Sequence, residues 1–132
     1  MNKAILIVDD NELTRAVLRT ILRQDGYRVV GEAKDGEAAL QMIEQLQPDV
    51  VCLDVMMPKM DGLSTLEKIK EANPEVVVLM ITASSDRETV EKAISAGAAG
   101  YVVKPFNAAR VIATIEHALS RAPGGAKALP PT

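Results

Sequence analysis

A single cysteine, Cys52, stands among 132 residues, which excludes an internal disulfide and any metal site built on several thiolates. It lies in the apolar run Val50-Val51-Cys52-Leu53 and reads as a small buried core residue. No apolar stretch approaches the roughly 20 residues that a membrane-crossing helix needs. The chain enters a strand-like segment almost at once, without the basic region, apolar region and cleavage site of a secretory signal, so a cytoplasmic location with no membrane partner is expected. Basic residues are equally sparse in clusters: the net charge is -3, and lysines and arginines are scattered, so this segment is not expected to bind nucleic acid. What remains is ordinary globular composition, 48% hydrophobic and 25% charged, at a length that fits one domain.

Short runs of Val, Ile and Leu recur at Ala4 to Val8, Val50 to Leu53, Val76 to Ile81 and Tyr101 to Val103, with a weaker one at Arg28 to Val30. Most are continuous in apolarity, as expected of strands covered by helices on both faces of a parallel sheet. Between them lie segments with helical spacing. Leu13, Val17, Leu18, Ile21 and Leu22 form the first stripe, and Leu40, Ile43 and Leu46 the second. A third segment runs from about Leu63 to Glu71, a fourth carries Val90, Ala93 and Ile94, and a fifth carries Val111, Ile112, Ile115 and Leu119. Asn11, Asp35, Asp86 and Asn107 are placed to cap helix starts, and Gly26 and Gly97 to end helices in a left-handed turn. Five strands alternating with five helices predict a doubly wound α/β domain over residues 1–121. The Pro/Gly-rich residues 122–132 read as a flexible tail or the start of a linker.

An open parallel sheet binds ligands beyond the carboxyl ends of its strands. Here those ends are polar: Asp9-Asp10 close the first run, Asp54 the third, Thr82 the fourth and Lys104 the fifth, with Pro105 following. Two like charges about 4 Å apart repel by roughly 4 kcal/mol at an effective dielectric near 20. Clustered aspartates therefore either raise a pKa or recruit a cation, and an all-oxygen set with few protein ligands suits Mg²⁺. A carboxylate that attacks a phosphoryl group needs charge neutralisation and in-line positioning more than a general base. Asp54 fits the nucleophile, Asp9 and Asp10 the metal ligands, and Lys104 and Thr82 the partners of phosphoryl oxygens.

The stretches Ile5 to Asp10, Pro48 to Pro58, Met60-Asp61-Gly62, Ile81-Thr82-Ala83 and Gly97 to Phe106 resemble the receiver domains of two-component signalling, and the likeness runs from about Lys3 to Leu119. Stand-alone chemotaxis receivers are similar from Gly100 to Phe106. The resemblance implies a flavodoxin-like sheet in the order 2-1-3-4-5. It also implies phosphorylation of Asp54 by a histidine kinase or histidine phosphotransfer protein, with Mg²⁺ held by Asp10, Asp54 and the main-chain carbonyl of Met56, and by Asp9 through water. By the same likeness, Thr82 and Tyr101 are switch residues and Lys104-Pro105 carries a cis peptide bond. The face of the fourth helix, fifth strand and fifth helix would then act on a downstream effector or output domain, or pair two phosphorylated copies. Met56 and Ser84 occupy positions that tune the phosphoryl lifetime, and neither orients water, so self-dephosphorylation is not expected at the fast end of the family.

Three other readings find less support in the residues. A phosphatase with an aspartyl-phosphate intermediate would carry a second aspartate where Met56 stands, and a flavin or nucleotide module would need a Gly- or hydroxyl-rich loop where Asp9-Asp10-Asn11-Glu12 stands. A degenerate receiver that only binds would not keep Asp9, Asp10, Asp54, Thr82 and Lys104 together. Met56, Met57 and Met60 serve equally as an adaptable docking surface or as loop hydrophobes. His117 has no partner cluster in the sequence and reads as a solvated helix residue.

Overall fold

The computed structural model describes residues 3–57 and 61–120, so Met60 and the tail 122–132 lie outside the described residues. The strands are β1 (Ala4–Val8), β2 (Arg28–Ala33), β3 (Val50–Leu53), β4 (Val77–Thr82) and β5 (Gly100–Val103). Between and after them come α1 (Glu12–Gln24), α2 (Gly36–Leu46), α3 (Gly62–Ala72), α4 (Arg87–Ser95) and α5 (Ala108–Ser120). All strand pairs are parallel and the sheet order is β2-β1-β3-β4-β5, the doubly wound α/β topology expected from the sequence. No helix among the described residues is long and apolar enough to cross a membrane.

Alternation along the central strands divides the core in two. Leu6, Val8, Val51, Leu53, Val78 and Met80 face Ile43, Leu66, Ile69 and Ala93 on α2, α3 and α4. Ile5, Ile7, Val50, Cys52, Leu79 and Ile81 face Leu18 and Leu22 on α1 and Val111 and Ile115 on α5. Cys52 is buried as expected, and its burial pushes the thiol up to about 12.

The helix ends follow side-chain chemistry. Asn11, Asp35 and Asp86 each accept from the amide three residues on, and Asn107 accepts from Arg110 in the same way. Asp61 does the same for α3, a cap the spacing did not single out. Gly26 and Gly97 take positive φ, as expected, while α2 ends on a left-handed Gln47.

Several apolar residues placed on helix stripes are not buried. Leu13 is 72% exposed and Ile94 50%, and Val17 and Leu46 are also exposed. β2 runs three residues beyond its expected end, to Ala33, with a register shift against β1 between Ile5 and Leu6. β4 is displaced by one residue and takes in Thr82.

Candidate phosphoryl and metal site

The parallel register carries β1 and β3 to a common edge, where Val8 lies beside Leu53 and the next residues are Asp9 and Asp54. The ladder continues past the strands: the Asp54 amide donates to the Val8 carbonyl at 3.0 Å, and the Asp9 amide to the Ala33 carbonyl at 3.0 Å. Across the sheet, Thr82 pairs with Val103, and the Lys104 amide donates to the Thr82 carbonyl at 2.8 Å. Asp9, Asp54, Thr82 and Lys104 are thus delivered to one rim by main-chain geometry.

Asp9, Asp54 and Thr82 are buried, whereas Asp10 is exposed. One carboxylate oxygen from each of Asp9, Asp10 and Asp54 lies within 4.8 Å of the others, an all-oxygen donor set of the kind a hard divalent cation takes. The Lys104 ammonium reaches between two of them, with Nζ 2.8 Å from Asp9 Oδ2 and 3.3 Å from Asp54 Oδ2. Burial raises the Asp9 carboxyl above the usual carboxylate range, although hydrogen bonds from Lys104 and the Asn11 amide pull against it. Burial alone would lower Lys104, but the hydrogen bond to Asp9 and the charges of Asp54 and Asp9 overcome it and hold the ammonium above its ordinary value.

Met56 follows in the loop, 62% exposed, and its amide donates to Asp54 Oδ1 at 3.2 Å. The peptide bond between Lys104 and Pro105 is cis. At the other side of the rim, the Ser84 amide lies 3.4 Å from Thr82 Oγ1, and the Ser84 carbonyl accepts from the Tyr101 hydroxyl at 2.8 Å. Burial raises the Tyr101 phenol above its ordinary value, with the charges of Asp54 and Asp86 adding to it against the Ser84 hydrogen bond. His117 lies on α5 and is not among the residues of this rim.

Residues that sequence reasoning did not place here also shape the site. Gly62 presses on the loop after β3, since a Cβ built on it would lie 2.2 Å from the Asp54 carbonyl oxygen. Arg15 donates from Nη1 to the Asp9 carbonyl at 2.7 Å. The Gly62 contact left a signal in the Asp-Gly pair that ends the loop, whereas Arg15 sits in an ordinary helical segment and gave none.

The comparisons with known proteins agree on one family. The model for the response regulator receiver domain matches residues 5–116. The transcriptional regulatory protein PdtaR of Mycobacterium tuberculosis is 42% identical over 119 residues, covering 90% of this chain and 58% of that protein. The chemotaxis protein CheY of Bacillus subtilis is 38% identical over 120 residues, covering 91% of this chain and 100% of the relative. Among solved structures, a chain of the CheX–CheY complex with BeF3 and Mg²⁺ from Borrelia burgdorferi superimposes with a TM-score of 0.87 at 33% identity, covering 89% of each chain. The chain therefore spans little more than half of the PdtaR relative but the full length of that CheY. Receiver domains are signalling domains, distinct from metabolic enzymes. With the sheet order, the acidic rim and the match over residues 5–116 in agreement, the chain belongs to the response regulator receiver domain family.

Proposed function

We propose that the protein is a phosphorylation-dependent switch of a two-component system, in which Asp54 accepts a phosphoryl group from a histidine kinase or histidine phosphotransfer protein. The observation that carries this reading is the clustering of Asp9, Asp10 and Asp54 within 4.8 Å, with the Lys104 ammonium beside two of them. Asp9, Asp10, Asp54 and the Met56 carbonyl would hold Mg²⁺. That ion supplies charge neutralisation for a phosphoryl group approaching a carboxylate, the chief need of such a transfer.

The chain's own residues do the rest. An Asp54 carboxylate oxygen forms the bond to phosphorus, the bond from phosphorus to the donor nitrogen breaks, and the electron pair stays with the donor imidazole. Lys104 is already within reach of Asp54 and is placed to follow a phosphoryl oxygen, leaving Asp9 to the metal. Thr82 offers its hydroxyl to another oxygen. Ser84 touches both Thr82 and Tyr101, so a pull on the Thr82 hydroxyl reaches the aromatic through one residue. Tyr101 would then settle inward, and the face of α4, β5 and α5 would change for a downstream effector, an output domain or a second phosphorylated copy.

The receiver unit is assigned to residues 1–121, followed by a tail or linker at 122–132, in a cytoplasmic protein that catalyses only its own phosphorylation and dephosphorylation. With Met56 and Ser84 flanking the site, the phosphoryl group should outlast the few seconds of the fastest receivers. The reading is tested by intact mass after incubation with Mg²⁺ and a small acyl phosphate. One added phosphoryl group is expected, absent in Asp54→Asn and absent without Mg²⁺. No gain in the folded wild-type protein would reject the switch and leave a phosphorylation-independent binding module.

A further inference from the structure

Asp9 is held at every polar atom it has. Its amide donates to Ala33, its Oδ1 accepts from the Asn11 amide at 2.9 Å and its Oδ2 accepts from Lys104. Its carbonyl oxygen, the fourth, accepts from Arg15 Nη1. The same guanidinium donates from Nε to Glu32 Oε1 at 3.1 Å, and Arg19, one turn further along α1, pairs with the other Glu32 oxygen. Glu32 lies on β2, next to the Ala33 carbonyl that receives the Asp9 amide. Arg15 is 16% exposed and Glu32 25%, so the network is sheltered on the flank of the sheet.

The Asp9 carbonyl belongs to the rigid planar unit that leads into Asp10. Asp10 is exposed, so the direction of its carboxylate depends on how that plane is set. We propose that Arg15, braced by Glu32 and Arg19, is a positioning residue that fixes the Asp9–Asp10 peptide and so brings the Asp10 carboxylate within reach of a cation shared with Asp9 and Asp54. The proposal rests on the metal-dependent reading above. A planar fork that spans a carbonyl and a carboxylate at once suits arginine, and a lysine ammonium offers no such reach. Groups that orient metal ligands from outside the coordination sphere typically change affinity by about 10- to 100-fold.

Simple electrostatics predicts the opposite sign. Deleting a positive charge beside three carboxylates should tighten cation binding, and exchanging it for another positive charge should leave binding unchanged. The test measures Mg²⁺ affinity by titration calorimetry for wild type, Arg15→Gln and Arg15→Lys, with circular dichroism showing that each variant is folded at the working temperature. Mg²⁺ binding weakened about 10-fold or more in Arg15→Gln, with most of that loss retained in Arg15→Lys, is expected. Binding as tight as wild type, or tighter, in either folded variant overturns the proposal. Should Arg15→Gln not fold, Arg15→Lys decides alone, because it keeps the charge and removes only the fork. Wild type that binds no Mg²⁺ would instead reject the proposed function itself.

Discussion

Around Asp9 and Asp54 polar atoms are bonded from several directions, whereas two strands away α4 is held to the sheet by little. Of its residues only Ala93 is buried, and its charged groups pair along its own surface, Arg87 with Glu91 and Lys92 with Glu88. Exposed pairs of this kind contribute little to stability. By contrast α3 buries Gly62, Thr65, Leu66 and Ile69, and its first residue abuts the loop that follows Asp54. Few buried apolar contacts and solvent-facing hydrogen bonds mark the segments that open at low free energy. The sheet edge is thus stiff where the proposed cation and phosphoryl group would need fixed oxygens, and looser where a partner would read a change of shape. Ser84 joins the halves, with its amide toward Thr82 and its carbonyl bonded to Tyr101.

The contrast breaks most severely at Gly62. In an ordinary helix Gly→Ala stabilises by about 1 kcal/mol. Here the new Cβ would meet the Asp54 carbonyl oxygen at 2.2 Å and the Val55 Cα at 2.5 Å, both main-chain atoms that cannot swing aside. Gly62→Ala should therefore cost about 3 kcal/mol or more in urea unfolding, the upper end for overpacking, and lower phosphoryl uptake because Asp54 itself is displaced. A neutral or stabilising result would mean that the loop yields freely. The next test sets two isoleucines against each other. Ile69 is 0% exposed on α3 and Ile94 50% exposed on α4. Ile69→Ala should cost about 2–4 kcal/mol and Ile94→Ala less than about 0.5 kcal/mol. Equal costs would remove the distinction between a held and a loose helix.

The stiff half was largely legible in the sequence. Asp9, Asp54 and Lys104 follow strands written as unbroken apolar runs, and parallel pairing delivers whatever follows a strand to the common edge. The caps at Asn11, Asp35, Asp86 and Asn107 could be read because each is a local interaction within three residues. Leu13 and Ile94 misled because helical periodicity reports which face is apolar, and not how far the sheet extends beneath it. The Arg15–Glu32 pair spans 17 residues and joins a helix to a strand whose register slips between Ile5 and Leu6. No local pattern specifies such a contact, since it depends on where β2 ends against β1. Gln47 ends α2 in a left-handed turn without glycine's freedom, so composition could not mark it.

A subtler substitution tests the joint between the halves. Tyr101→Phe removes the hydroxyl that donates to the Ser84 carbonyl and leaves the ring in place. A net hydrogen bond is worth about 0.5–1.5 kcal/mol, and the half-buried setting of Tyr101 places the loss near the lower bound, a shift of a few degrees in the melting midpoint. Phosphoryl gain by intact mass should match wild type, because the carboxylates and Lys104 are untouched. What should change is the response of the α4 side: amide chemical-shift changes on phosphorylation at Ser84 and along α4 should shrink, while those at Asp10 and Asp54 persist. Equal loss of shift on both sides, or a lowered mass gain, would place Tyr101 within the pocket and make the sheet edge a single unit, with no division between the part that takes the phosphoryl group and the part that reports it.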